Sequence, residues 1–224
     1  MMSRINSQTG HVVLVHGLFH RGVAMSVLSR RLRNKGFTSS AYTYPSRRHG
    51  LSAQAHILRE YIDTQKFSDA KALHFVGHSL GGLVLMTMLE KYARDLPPGR
   101  LVLLGSPVSG SASAKALSLK PMGRMLLGSA CQSLQSGCGV PIDREIGVIA
   151  GTGSMGLGRL LNKLSGPNDG TVTVTETRLD TAADSVQLQV SHFGMLLSPL
   201  VAQKCVTFLR LGRFNTTAQS AAES

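Results

Sequence analysis

Ala72-Leu73-His74-Phe75-Val76-Gly77-His78-Ser79-Leu80-Gly81-Gly82-Leu83-Val84-Leu85 is the stretch on which the fold turns. Ala72 to Val76 is a short apolar run that reads as a buried strand, and from Ser79 to Arg94 apolar residues continue at helical spacing. Between them, Gly77-His78-Ser79-Leu80-Gly81 fits the pattern G-x-S-x-G. A serine there occupies a strained turn from strand to helix that pushes its hydroxyl into the open, and flanking glycines leave no side chains to collide. The bare pattern is weak, because Gly and Ser are common in this chain. Its place between a strand and a helix gives it weight. The plain alternative is a glycine-rich turn with an idle serine.

Working outward, the same alternation recurs on both sides. His11 to Val15 reads as a buried strand ending at His16-Gly17, followed by a helix from Ala24 to Lys35 that Gly36 stops. Thr38 to Tyr44 is the next strand, closed by Pro45, and Leu51 to Thr64 is helical, with Ile57, Leu58, Tyr61 and Ile62 at helical spacing. Downstream, Arg100 to Leu104, Ile146 to Ala150 and Ser185 to Val190 are strands, and Pro199 to Leu211 is a closing helix with proline in its first turn. Short strands alternating with helices argue for an α/β fold with a parallel sheet. One domain over residues 1–214 is expected, with a small, polar, disordered tail at 215–224.

Roughly 40 residues separate the fourth and fifth strands, more than a bare crossover needs. Leu117, Leu119, Met122, Met125, Leu126, Leu127 and Leu134 lie there among Ser and Gly. Residues 106–145 are either a crossover with a long loop or a small cap over the site, and the pattern leaves both open. If they form a cap, these flexible side chains would pack against an acyl chain.

The balance of 24 Lys+Arg against 12 Asp+Glu is strongly basic. Arg21, Arg30, Arg31, Arg33, Lys35, Arg47 and Arg48 form the densest group. Such a surface would attract nucleic acid, anionic lipid or acidic substrates. No nucleic-acid-reading motif, interleaved aromatics or Trp accompanies it, so a solvated basic face is the preferred reading, with no specific nucleic-acid partner and at most transient contact with an anionic membrane surface. No apolar stretch approaches the ~18 residues of a membrane span, and Met1 to Gln8 carries no leader pattern, so a cytoplasmic location is expected. Cys131, Cys138 and Cys205 do not make a disulfide framework; Cys131 and Cys138 could bridge a short loop, but three reduced thiols are expected. No Cys/His spacing suits zinc.

A serine nucleophile needs a base, an orienting acid and donors for an oxyanion. His192 follows the final strand and is the one histidine after Ser79, giving the order Ser, acid, His that a serine on this kind of strand-to-helix turn demands. His78 adjoins the serine, but its ring cannot readily turn back to that hydroxyl. His11, His20, His49, His56 and His74 read as surface or packing residues. Asp143 and Asp169 compete for the acid. Asp143 precedes the fifth strand, at its N-terminal edge, whereas Asp169 follows it in Gly166-Pro167-Asn168-Asp169-Gly170, and parallel-sheet sites gather beyond the carboxyl ends. Asp169 is preferred, against the plain reading of an Asp-Gly turn. The backbone N–H groups of Leu80, directly after the serine, and of Leu18, after His16-Gly17, are the expected oxyanion donors.

Val15-His16-Gly17-Leu18, Gly77-His78-Ser79-Leu80-Gly81-Gly82, Pro167-Asn168-Asp169-Gly170-Thr171-Val172 and Ser191-His192-Phe193 together resemble the α/β-hydrolase superfamily, and within it the small lipase-like and esterase-like members. The resemblance runs in order from residue 11 to 211. It implies a minimal, mainly parallel sheet of about six strands with helices on both faces, an acyl-enzyme on Ser79, and no cofactor or metal. The leading expectation is a hydrolase of small-molecule or lipid acyl esters. Thioester hydrolysis, acyl transfer to an alcohol, and a catalytically silent binding module are the competing readings, because the fold hosts all of them.

Overall fold

The computed structural model describes residues 10–215, apart from 19, 66, 68–69, 112–113, 116–117, 120–128, 130–141 and 154–164. Six strands form one parallel sheet: β1 His11–Val15, β2 Thr38–Tyr42, β3 Leu73–His78, β4 Leu101–Leu104, β5 Ile146–Gly151 and β6 Asp184–Leu188, in the order β2-β1-β3-β4-β5-β6. The described helices of the domain include α1 Ser26–Arg33, α2 Leu51–Thr64, α3 Leu80–Tyr92, the single turn α4 Gly194–Leu197, and α5 Pro199–Leu211.

Both faces of the sheet are buried, and the period of two along each strand divides the core. From β1, Val13 and Val15 join Phe75, Leu101 and Leu103 under α2 and α3, where Leu58, Ile62, Leu83 and Val84 meet them. Val12 and Leu14 join Val76, Val102, Leu104 and Ile149 on the other face, covered by Met25, Leu28 and Leu32 and by Val201, Cys205 and Phe208 of α5. Burial raises the Cys205 thiol pKa to about 12, so this cysteine behaves as a packing residue.

Element edges differ from the sequence reading where side chains or tight turns take over. The first helix opens as a 3₁₀ turn, Gly22–Met25, before α1, and Gly36, at φ +92°, ends the segment. β2 stops at Tyr42 because the following N–H of Tyr44 donates to Nε2 of His16 rather than to a strand. β3 runs two residues past Val76 and delivers Ser79 directly from its end. β6 ends at Leu188, whose carbonyl accepts from Val190 N–H in a sharp turn. α5 begins at Pro199, with the Ser198 hydroxyl capping Val201 N–H, and closes on Gly212 at φ +73°.

Most of the Leu/Met-rich stretch, Cys131, Cys138 and the tail beyond residue 215 lie outside the described residues. Within 106–145, Ser109 Oγ donates to Arg178 O, and Ser129 donates to Arg47 O through both its N–H and its hydroxyl. Among the described residues no helix is long and apolar enough to cross a membrane.

The sheet order places β1 between β2 and β3, so the chain leaves β1 in one direction and returns on its other side. Crevices form beyond the carboxyl ends of strands at such a switch point. The loop after β1 and the turn after β3 both open there.

Candidate active site

Ser79 is the one non-glycine residue with positive φ among the described residues, at φ 54° and ψ −124°. The strain is held from both sides: Ser79 N–H donates to Leu104 O at the end of β4, and Ser79 O accepts from Gly82 N–H in the first turn of α3. The neighbouring glycines are required by close packing. A Cβ on Gly81 would stand 2.3 Å from Val15 O, and one on Gly17 would stand 2.9 Å from Ser79 Cβ. The β1 loop is therefore pressed against the serine turn.

That loop has its own fastening. His16 is fully buried; its Nδ1–H donates to Gly17 O at 2.8 Å, and its Nε2 accepts from Tyr44 N–H. The Tyr44 ring stacks on the imidazole at 4.5 Å while its hydroxyl donates to His16 O at 2.9 Å. Burial lowers the His16 pKa and raises that of Tyr44, so both are neutral hydrogen-bonding groups. Leu18 leaves this clamp, and Leu80 opens α3. Among the described residues neither the Leu18 nor the Leu80 N–H meets an acceptor, so both are available to one.

Asp169 and His192 are brought together from two loops. The Asp169 Oδ2 accepts from His192 Nδ1–H at 2.7 Å, and His192 N–H donates to Asp169 O at 2.9 Å. The other carboxylate oxygen, Oδ1, accepts from the N–H groups of Thr171 and Val172 at 2.9 and 2.7 Å. The Asp169 side chain is 1% exposed and that of His192 14%. A buried carboxylate with three donors is satisfied as an anion, and it holds the imidazole with Nε2 as the remaining ring nitrogen. Asp143 is exposed and precedes β5, at the opposite end of the sheet.

His78 ties these parts to the serine turn in a way the sequence did not reveal. Its ring lies 4.6 Å from that of His192, and its Nε2–H donates to His192 O at 2.9 Å. Nδ1 of His78 is buried without a hydrogen-bond partner. Burial, and then the neighbouring His192, hold the His78 pKa well below the usual imidazole range. The residue before Ser79 is thus a neutral anchor for the main chain of His192. His20, expected among surface or packing residues, stands beside the same site: its ring stacks on Phe193 at 5.5 Å and meets His78 edge-on at 6.0 Å. Of the remaining histidines, His74 is buried beneath the sheet end at Arg100, and His56 is exposed on α2.

A model of the alpha/beta hydrolase family matches residues 12–199. The chain belongs to the alpha/beta hydrolase family. Among curated proteins none matches it significantly. Solved structures of similar fold include a lipase of Bacillus licheniformis, BlEst2 in mature form, with TM-score 0.70 and 21% identity over 91% of this chain and 92% of that one. A metagenomic carboxyl esterase, MGS0156, has TM-score 0.66 and 16% identity over 86% of this chain and 66% of that one. YbtT, a type II thioesterase from the yersiniabactin biosynthetic pathway, has TM-score 0.62 and 15% identity over 94% and 96%. At these identities the likeness speaks for the α/β-hydrolase fold; family membership supports a hydrolase. Among the described residues no group of three or more His, Cys, Asp or Glu could hold a metal ion.

Proposed function

We propose that this hydrolase cleaves carboxylic esters through an acyl-enzyme on Ser79. The observation that carries the reading is the buried Asp169–His192 hydrogen bond, standing at the same sheet end as the strained Ser79 turn. His192 Nε2 takes the Ser79 hydroxyl proton as Oγ attacks the carbonyl. The oxyanion is received by the N–H groups of Leu18 and Leu80, the latter also at the positive end of α3. His192 then returns the proton to the leaving alcohol, and water, activated by the same nitrogen, releases the acid. Asp169 accepts the Nδ1–H throughout, fixing the tautomer of the neutral imidazole and stabilising the imidazolium once Nε2 has taken the proton.

The reading is tested by labelling with a fluorophosphonate probe and by turnover of p-nitrophenyl esters of two to twelve acyl carbons, beside thioesters of matching length. Wild-type protein should label and Ser79→Ala should not. If residues 106–145 provide an acyl surface, kcat/KM should rise about tenfold for two added carbons, at ~0.8 kcal/mol per buried methylene. A maximum at acetate would mean that this stretch is crossover packing. Labelling that persists in Ser79→Ala would remove the proposed nucleophile.

A further inference from the structure

The loops after β1 and β2 border an open cleft of about 760 Å³, lined by residues that include His20, Arg21, Thr43, Tyr44, Arg47 and Arg48. Its volume is within the range of small-molecule sites. His20 is the shared wall. His20 lines the cleft, while stacking on Phe193 and edge contact with His78 join its ring to the candidate site. Its Nδ1–H donates to Leu18 O at 2.7 Å, so the cleft borders the loop that carries a proposed oxyanion donor. Two cross-links hold the walls in register: Gly22 N–H to Thr43 Oγ1 at 2.9 Å, and Tyr44 N–H to His16 Nε2 at 3.3 Å.

The charge of this cleft is one-sided. Among the described residues that line it, three are arginines and none is acidic. Elsewhere arginines meet carboxylates, as in Arg59–Asp63, Arg100–Glu145 and Arg178–Asp180. Among the described residues neither Arg21 nor Arg48 forms an ion pair. Three arginines lining one cleft offer guanidinium groups suited to the planar, bidentate geometry of phosphate and carboxylate oxygens. A solvated basic face would serve solubility anywhere on the surface. This one is concave and abuts the serine site.

We propose that the cleft binds a phosphate group carried by the ester that Ser79 cleaves. The inference rests on the serine-hydrolase reading for the cleavage, but binding at the cleft can be measured without it. The kinetic arm compares monobutyrin with 1-butyryl-glycerol 3-phosphate, which share the acyl group and differ by the phosphate. Wild-type protein should favour the phosphate ester in kcat/KM, and the preference should shrink between 50 and 500 mM NaCl, since exposed pairs are screened. In Arg21→Gln/Arg48→Gln the ratio of the two kcat/KM values should fall about tenfold, the size expected for two exposed charge pairs. Arg21→Lys/Arg48→Lys should retain most of it.

The binding arm titrates 1-butyryl-glycerol 3-phosphate into Ser79→Ala by calorimetry, with inorganic phosphate as competitor. Weaker binding in the double glutamine variant supports the cleft even if neither ester is turned over, an outcome that would count against the hydrolase reading alone. Equal handling of both esters by the wild type, with no binding to Ser79→Ala, overturns the cleft. Binding to phosphatidylglycerol vesicles without binding to the soluble phosphate ester also overturns it, and makes this face a membrane contact instead.

Discussion

Gly105→Ala tests the proposed acid–base pair without replacing either member. Gly105 follows β4 at φ +53°, and its N–H is pinned to Ile149 O at 3.0 Å. An added Cβ would lie 2.9 Å from Asp169 Oδ2, 3.2 Å from His192 Nδ1 and 3.2 Å from Met195 Cε. All three distances are below ordinary van der Waals contact, and the methyl points at the two atoms of the 2.7 Å hydrogen bond. The pinned backbone cannot yield, so the carboxylate and imidazole must retreat by a few tenths of an ångström or more. Left-handed backbone costs alanine about 1–2 kcal/mol, equivalent to a fall in Tm of roughly 2–8 °C for a domain of this size. Misplacing a catalytic group by about 1 Å can cost on the order of 10²-fold, and losing its orientation entirely costs about 10⁴-fold in a comparable triad. The expected loss in kcat is therefore between about 10- and 100-fold. Gly166→Ala is the control: it has the same kind of backbone, φ +81°, and among the described residues no atom lies within 4 Å of the added methyl. It should lower Tm similarly and spare kcat. The assay is ester hydrolysis beside thermal unfolding of both variants. Full activity in Gly105→Ala, with Asp169→Asn crippled, would refute the reasoning.

Three further outcomes are expected. Asp169→Asn should reduce kcat on the order of 10⁴-fold while Asp143→Asn stays near wild type, and the reverse pattern in ester hydrolysis would transfer the acid role. Stability should fall with acid: burial, with Arg100 and Arg144 adding, lowers the His74 pKa to about 4 from 6.5. The unfolded chain thus takes up a proton below pH 6.5 that the folded chain refuses until about pH 4, so stability is complete above 6.5. Up to about 3 kcal/mol is lost on the way down, and urea unfolding at pH 7 and 4.5 should show a slope that His74→Asn flattens. Arg100→Ala should cost about 3 kcal/mol, read as denaturant midpoint, because it strands the Glu145 carboxylate and the Leu209 and Arg210 carbonyls that Arg100 joins; an unchanged midpoint would mean that water replaces these bonds freely.

By itself the sequence determined what near neighbours decide. The apolar run before Gly77 and the helical spacing after Ser79 place a strand and a helix, because period and backbone preference act within a few residues. The order of the motifs was legible for the same reason, and Asp169 could be preferred to Asp143 once the direction of β5 was known. Tertiary structure decided the rest. Residues 169 and 192 are fastened at side chain and main chain because their loops leave neighbouring strands β5 and β6 at one sheet end. The bond from His78 to His192 O spans 114 residues, and only the strand order brings its ends together. Gly105 matches no motif, and its need for a bare Cα arises from atoms on two other segments. Arg21 and Arg48 read as solvated charges until the folds of two loops placed both at one cleft. Local pattern specifies elements through contacts along the chain; a site is made by contacts across it, and these exist only once the sheet has set which loops are neighbours.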